Sequence, residues 1–259
     1  MQLTYSISPQ EDNMTVKQIL KEKLYISTKL LLKLKQTASI FCNHEPALVT
    51  KLVHTGDRIT LDLEKMEERL CLPKFQDKFQ LIDKPLDILY EDDYLLIVNK
   101  PAGLPVHPSC MHYENTLSNY VAAYLQKQQI YRIHIVTRLD KNTSGVCIFA
   151  KHEYIQELYV RKKEEIKLTK EYITIVQGIV SRDHGILHAP IARKEGSIIL
   201  REVNPKGIFA KTEYFVQERN VEKNYTVMRI LLHTRKDASN SCSHGKHGSC
   251  FVRRRFICK

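Results

Sequence analysis

Residues 137–145 read Thr-Arg-Leu-Asp-Lys-Asn-Thr-Ser-Gly, a segment in which a single carboxylate, Asp140, sits among residues that build tight turns. Asp, Asn, Ser and Gly supply the local hydrogen bonds and positive φ angles that such turns need, so the segment is expected to be a loop between two strands. A carboxylate on a tight loop between buried strands is also a rigidly aimed group. Arg138 stands two residues before Asp140 and would favour its ionised form if the two side chains meet. An ionised, immobilised aspartate can serve as a nucleophile or as a base.

Other candidates carry less chemistry. His107 and His112 flank Ser109 and Cys110, but no base with an orienting partner accompanies them, and ordinary loop residues are the simpler reading. Lys100 is expected either to support the structure or to touch phosphate. Arg161-Lys162-Lys163 reads as a solvated helix end. Lys29, Lys33 and Lys35 fall on one predicted helix, where charge alone implies only a solvated face. No metal ligand set is expected.

The elements that position these groups follow from periodicity. Val16, Ile19, Leu20 and Leu24, then Leu30, Leu31 and Leu34, have helical spacing interrupted at Ile26-Ser27, which predicts two short helices with Ser27 capping the second. Short strands are predicted at Ile40-Phe41 and at Leu61-Asp62-Leu63, the latter behind the turn Thr55-Gly56-Asp57. Charged residues 64–86, with Pro73 and Pro85, read as a linker. Beyond it, strands are predicted at 94–99, 133–136, 146–150, 172–180, 212–216 and 225–232, and helices at 115–128 and 154–163. Strands predominate, so the expected class is α+β with a mostly antiparallel mixed sheet.

A chain of 259 residues, 43% hydrophobic and 27% charged, can bury a sizeable core and a second small one, which excludes a fibrous or disordered protein. No run of about 18 apolar residues and no basic-then-apolar leader is visible, so a cytoplasmic protein without membrane attachment is expected. Seven cysteines, the first four scattered, argue against a disulfide framework. A net charge of +11 suits a polyanionic partner.

Several motifs resemble one family. RLDKNTSG (138–145) resembles the catalytic signature of the RluA-type pseudouridine synthases. NKPAGLPVHPS (99–109) resembles their first motif and KEYITIVQG (170–178) the strand of their active-site tyrosine; GILHAPIAR (185–193) and GIFAKTEY (207–214) follow in the family's order. The resemblance covers about residues 84–234. Residues 14–64 resemble the ribosomal-protein-S-four-like RNA-binding module that precedes many members, although that module usually has glycine where Ala38 and His44 stand.

The resemblance implies isomerisation of uridine in RNA to pseudouridine without cofactor or metal. Asp140 takes the position of the essential aspartate, as nucleophile or as base; Tyr172 would stack on the uracil and help move a proton; Arg138 would fill the space left by a flipped nucleotide. Lys29, Lys33, Lys35, Lys100 and His107 are the expected RNA contacts. Ribosomal RNA is favoured over transfer RNA, and a monomer is the default. Thr137 stands where the family commonly has His. The implied organisation is a module at 1–64, a linker at 65–86, a catalytic domain at 87–234 and an aberrant tail at 235–259, expected to be disordered. The alternative is an RNA-binding protein that performs no chemistry.

The tail breaks the pattern. After Thr234 the family continues Gly-Arg-Thr-His-Gln-Ile-Arg-Val-His, whereas this chain reads RKDASNSCSHGKHGSCFVRRRFICK and carries +6 of the +11 net charge. Cys242, His244, His247 and Cys250 suggest zinc, but their spacing is tighter than the common structural patterns. Degenerate codons for these residues, read one nucleotide later, permit the family's own continuation. The expectation is therefore a frameshift after the Thr234 codon that removes the third motif, its arginine partner for the aspartate and the last strands of the sheet. A chain so altered would be weakly active or inactive.

Overall fold

A computed structural model describes residues 1–70, 80–108, 115–166, 168–193, 195–196 and 201–233. Ser109, Cys110 and His112, residues 71–79 of the expected linker, and the tail with Cys242, His244, His247 and Cys250 lie outside the described residues. The chain forms two compact units. The first comprises 1–98, 106–138 and 147–166, and the second 99–105, 139–146 and the residues from 167 onward.

In the first unit, helices α1 (Val16–Glu22) and α2 (Thr28–Gln36) accompany a four-stranded antiparallel sheet of β1 (Gln2–Ser6), β2 (Ile40–Cys42), β3 (Glu45–Pro46) and β4 (Arg58–Asp62), ordered β1-β4-β2-β3. Thr15 and Gln18 form a capping box at the start of α1, and the Ser27 hydroxyl accepts the Leu30 N–H at 2.8 Å to cap α2. Ile19, Leu20, Leu30, Leu34, Ile59 and Leu61 share one core and are 0% exposed. Each such side chain contributes about 1.5–3 kcal/mol on burial.

The two positions flagged against glycine both take left-handed backbone, Ala38 at φ +49° and His44 at φ +70°. Ala38 follows the last turn of α2, where Ser39 N–H donates to Leu34 C=O and Ala38 N–H to Lys35 C=O. That paired pattern is the helix stop for which glycine is preferred.

The expected linker is corrected over its first residues: Leu63–Leu70 is a helix, α3, with Leu63 and Met66 fully buried. Its apolar spacing, Leu63, Met66 and Leu70, is helical, but the charged residues between them hid it. A second sheet has the order β5 (Ile88–Glu91), β6 (Leu95–Lys100), β8 (Gly145–Ala150), β7 (His134–Ile135). Helices α4 (Leu117–Gln126), α5 (Glu153–Arg161) and α6 (Lys163–Ile166) complete this unit. Among the described residues no helix is long and apolar enough to cross a membrane.

The second unit is built on a five-stranded antiparallel sheet of β9 (Lys170–Gln177), β10 (His184–Arg193), β11 (Arg201–Val203), β12 (Ile208–Asn220) and β13 (Tyr225–Leu232), ordered β11-β10-β12-β13-β9. Alternation along the strands turns Val176, Tyr214, Met228 and Ile230 to one buried face. The class is α+β with antiparallel sheets, as expected. Strand β12 is longer than the predicted 212–216: its pairing extends through the exposed Ile208 and Phe209 at one end and the polar residues 217–220 at the other.

Candidate active site

The loop that carries Asp140 connects β7 to β8 and is closed by its own polar residues. Asp140 C=O accepts the Thr143 N–H at 3.1 Å, which makes 140–143 a turn, and Thr143 is 3% exposed. Gly145 opens β8 at φ +121°, a conformation that favours glycine. At the base of the loop the Thr137 hydroxyl accepts the Ile148 N–H at 2.9 Å. The residue that departs from the family's usual His thus takes a structural hydrogen bond here.

The peptide after Asp140 is held from a second segment. Lys100 Nζ donates to the carbonyl oxygens of Leu104 at 2.7 Å, Pro101 at 2.9 Å and Lys141 at 3.0 Å. Lys141 C=O also accepts the Gly103 N–H at 2.8 Å. The Gly103 backbone, at φ +89°, is again in the region that favours glycine. Lys100 is 0% exposed, and three carbonyls meet the three donors of its ammonium group, the condition for burying such a charge. This corrects the expectation of an RNA contact at Lys100: the side chain is inside and fastens the first motif to the aspartate loop. The partners of Lys100 could not be read from the sequence because all three acceptors are backbone carbonyls, which leave no mark in residue types.

Tyr172 lies on β9 opposite Ile230 of β13. It is half-buried and packs against the cluster of Val176, Tyr214, Met228 and Ile230. Lys100, Asp140 and Tyr172, from three separate stretches of sequence, therefore belong to one compact unit. Asp140 itself is exposed on its loop.

Arg138 and His107 belong to the other unit and are both exposed. Desolvation and then the positive charge of Arg138 push the His107 imidazole below its usual pKa. Of the three α2 lysines, Lys29 and Lys35 are exposed, whereas Lys33 donates to both oxygens of Glu153 at 2.6 and 2.5 Å. No group of three or more His, Cys, Asp or Glu side chains arranged to hold a metal occurs among the described residues.

Residues 94–238 match the family model described as RNA pseudouridylate synthase, and residues 3–59 match that of the RluD ribosomal pseudouridine synthase N-terminal domain. A Bacillus subtilis protein called uncharacterized RNA pseudouridine synthase YhcT is 30% identical over 88% of this chain and 73% of its own length. The ribosomal large subunit pseudouridine synthase D of Haemophilus influenzae is 34% identical over 69% of this chain and 52% of its own, so this chain spans about half of that relative. Among solved structures, human RNA pseudouridylate synthase domain containing 1 superposes with a TM-score of 0.56 at 16% identity, covering 67% of this chain and 76% of that one. Human RNA pseudouridylate synthase domain containing 4 gives 0.51 at 21% identity, with 64% and 66% covered. At such identities the two structures speak to the fold alone.

Proposed function

The chain belongs to the RNA pseudouridylate synthase family, and from that premise we propose that its chemistry is the isomerisation of uridine in large-subunit ribosomal RNA, begun by Asp140. The observation that carries this reading is the fastening of the Asp140 loop by Lys100 and Gly103, within the unit that also holds Tyr172. A carboxylate whose neighbouring peptide is fixed in this way is preorganised for a single reaction geometry.

In the proposed reaction the glycosidic bond from the ribose to N1 breaks, the uracil turns, and a carbon–carbon bond forms from C5 to the same ribose carbon. The proton lost from C5 is balanced by one gained at N1, so the change is an isomerisation and needs no cofactor or metal. Asp140 acts as nucleophile or as base, Tyr172 stacks on the turning uracil and assists proton movement, and Arg138 fills the space that the flipped nucleotide leaves. Extrusion is required because the ring cannot be turned over inside a base stack. The match to the RluD N-terminal domain, and relatives named for the ribosomal large subunit, favour ribosomal over transfer RNA.

The proposal includes the tail. The family match ends at residue 238, just beyond the point where the motif order breaks after Thr234. In the described residues β9, the strand of Tyr172, is at an edge of its sheet. A frameshift that replaces the third motif removes the arginine which that motif supplies in the family, and the 259-residue chain is then a weakened copy of a working enzyme.

The test is to restore the neighbouring reading frame after Thr234, incubate that protein with unmodified ribosomal and transfer RNA, and map pseudouridine at nucleotide resolution. The expected result is product at a ribosomal uridine that disappears with Asp140→Asn. Absence of product despite retained RNA binding would instead favour an RNA-binding protein without chemistry.

A further inference from the structure

Helix α5 presents two carboxylates to helix α2 of the N-terminal module, and all the groups concerned lie in one compact unit. Glu153 is chelated by Lys33 Nζ at 2.6 and 2.5 Å, and Lys29 Nζ stands 4.0 Å from the same carboxylate. Glu157 accepts the Ser27 hydroxyl at 2.6 Å and the Ser27 N–H at 3.3 Å, at the residue that caps α2. These contacts are sheltered from water: the Glu153 side chain is 9% exposed and that of Lys33 is 21% exposed.

Further contacts join the same elements. Glu67 of α3 accepts the N–H of Glu153 at 2.9 Å, and its carboxylate faces His134 Nε2 at 3.5 Å and His152 Nδ1 at 3.8 Å. Tyr154, on the first turn of α5, belongs to the core of the module, with Ile155 and Leu158 packed against it. The module is therefore joined to α5 by apolar packing together with an ionic contact centred on the start and the lysines of α2.

That ionic contact uses the donors by which proteins hold phosphate: ammonium groups, a hydroxyl and a backbone N–H at a positive helix end. The apolar contacts alone would have been served by neutral residues at 153 and 157. Instead the chain places two anions of α5 against the start and the lysines of α2.

We propose that Glu153 and Glu157 form an autoinhibitory contact, occupying on α2 the positions that RNA phosphates take when the module binds RNA. RNA binding then displaces α5 from α2, and the chain's own carboxylates set the affinity by competition. This rests on the reading that the N-terminal module is an RNA-binding module. Because the two occupants compete for α2, weakening the internal contact must strengthen RNA binding, by at most the same factor.

The experiment measures binding of an unmodified large-subunit ribosomal RNA hairpin to the full 259-residue chain by fluorescence anisotropy at fixed salt. The Glu153→Gln/Glu157→Gln double variant is expected to bind about 5-fold tighter or better. Unchanged or weaker binding by a folded double variant overturns the proposal. Hydrogen exchange of the unaltered chain gives a second readout that does not depend on the variant's folding. RNA is expected to raise exchange along 153–161, whereas unchanged or slower exchange there overturns the contact as a competitor. Replacing Lys29 and Lys35 by Ala separates the underlying reading. Loss of affinity in that variant with no gain from the Glu variants refutes the contact alone. No loss refutes RNA binding by α2 and, with it, the proposal.

Discussion

Lys100 Nζ lies 3.0 Å from the carbonyl oxygen of Lys141, the residue that follows Asp140. A fully buried ammonium thus reaches from the first motif to the peptide beside the proposed catalytic carboxylate. Replacing Lys100 by Met removes the charge and leaves the carbonyls of Pro101, Leu104 and Lys141 short of a donor. The expected cost is about 2–4 kcal/mol of stability. In the frame-restored protein, kcat should fall by more than KM rises, because the loop is misaimed while the RNA contacts remain. Denaturant unfolding and single-turnover kinetics measure the two effects.

Ala38→Gly and His44→Gly should each stabilise the chain by about 0.5–1 kcal/mol. Both residues occupy left-handed backbone, φ +49° and +70°, which costs a side chain and not glycine. Thermal unfolding of the single variants would show a higher Tm; a lower one would contradict the strain at these turns.

Acid should weaken the attachment of α3. Burial alone pushes the Glu67 carboxyl up, but His134, His152 and the Glu153 N–H outweigh it and bring it down to about 2 from the usual 4.5. A carboxyl depressed on folding stabilises the fold fully above its unfolded pKa, and this contribution is lost as the pH falls through 4.5 toward 2. The unaltered chain should therefore lose about 2 kcal/mol more stability than Glu67→Gln between about pH 5 and about pH 2. Equal acid sensitivity of the two proteins would contradict the assignment.

Gly207→Ala should be strongly destabilising, by about 2–4 kcal/mol. A Cβ at Gly207 would stand 2.4 Å from the Ile191 backbone of β10, which cannot move without breaking its strand pairing. Loss of the cooperative unfolding transition, or a Tm lowered by many degrees, is the expected observation.

Much of this architecture was legible in the sequence, and the reasons differ from residue to residue. Ser27 declared the start of α2 because its hydroxyl acts locally, three residues from its partner. The aspartate loop was legible because its turn residues act on one another, as in the 140–143 hydrogen bond. By contrast, β1 escaped the sequence reading: Gln2–Ser6 finds its partner only at β4, and its Leu3 and Tyr5 are only half-buried. Lys33 read as a solvated lysine because its partner, Glu153, is distant in sequence. Lys100 was left open between structural support and a phosphate contact, since backbone carbonyls that satisfy a buried charge carry no residue-type signature.

The most direct measurement compares three proteins on unmodified large-subunit ribosomal RNA under single-turnover conditions: the 259-residue chain, the frame-restored chain, and the frame-restored chain with Asp140→Asn. The frame-restored protein is expected to convert a defined uridine, the 259-residue chain to be slower by about 100-fold or more because its third motif is replaced, and the Asn variant to be inactive. Equal rates for the first two proteins would contradict the account of the tail, and turnover by the Asn variant would contradict the role of Asp140.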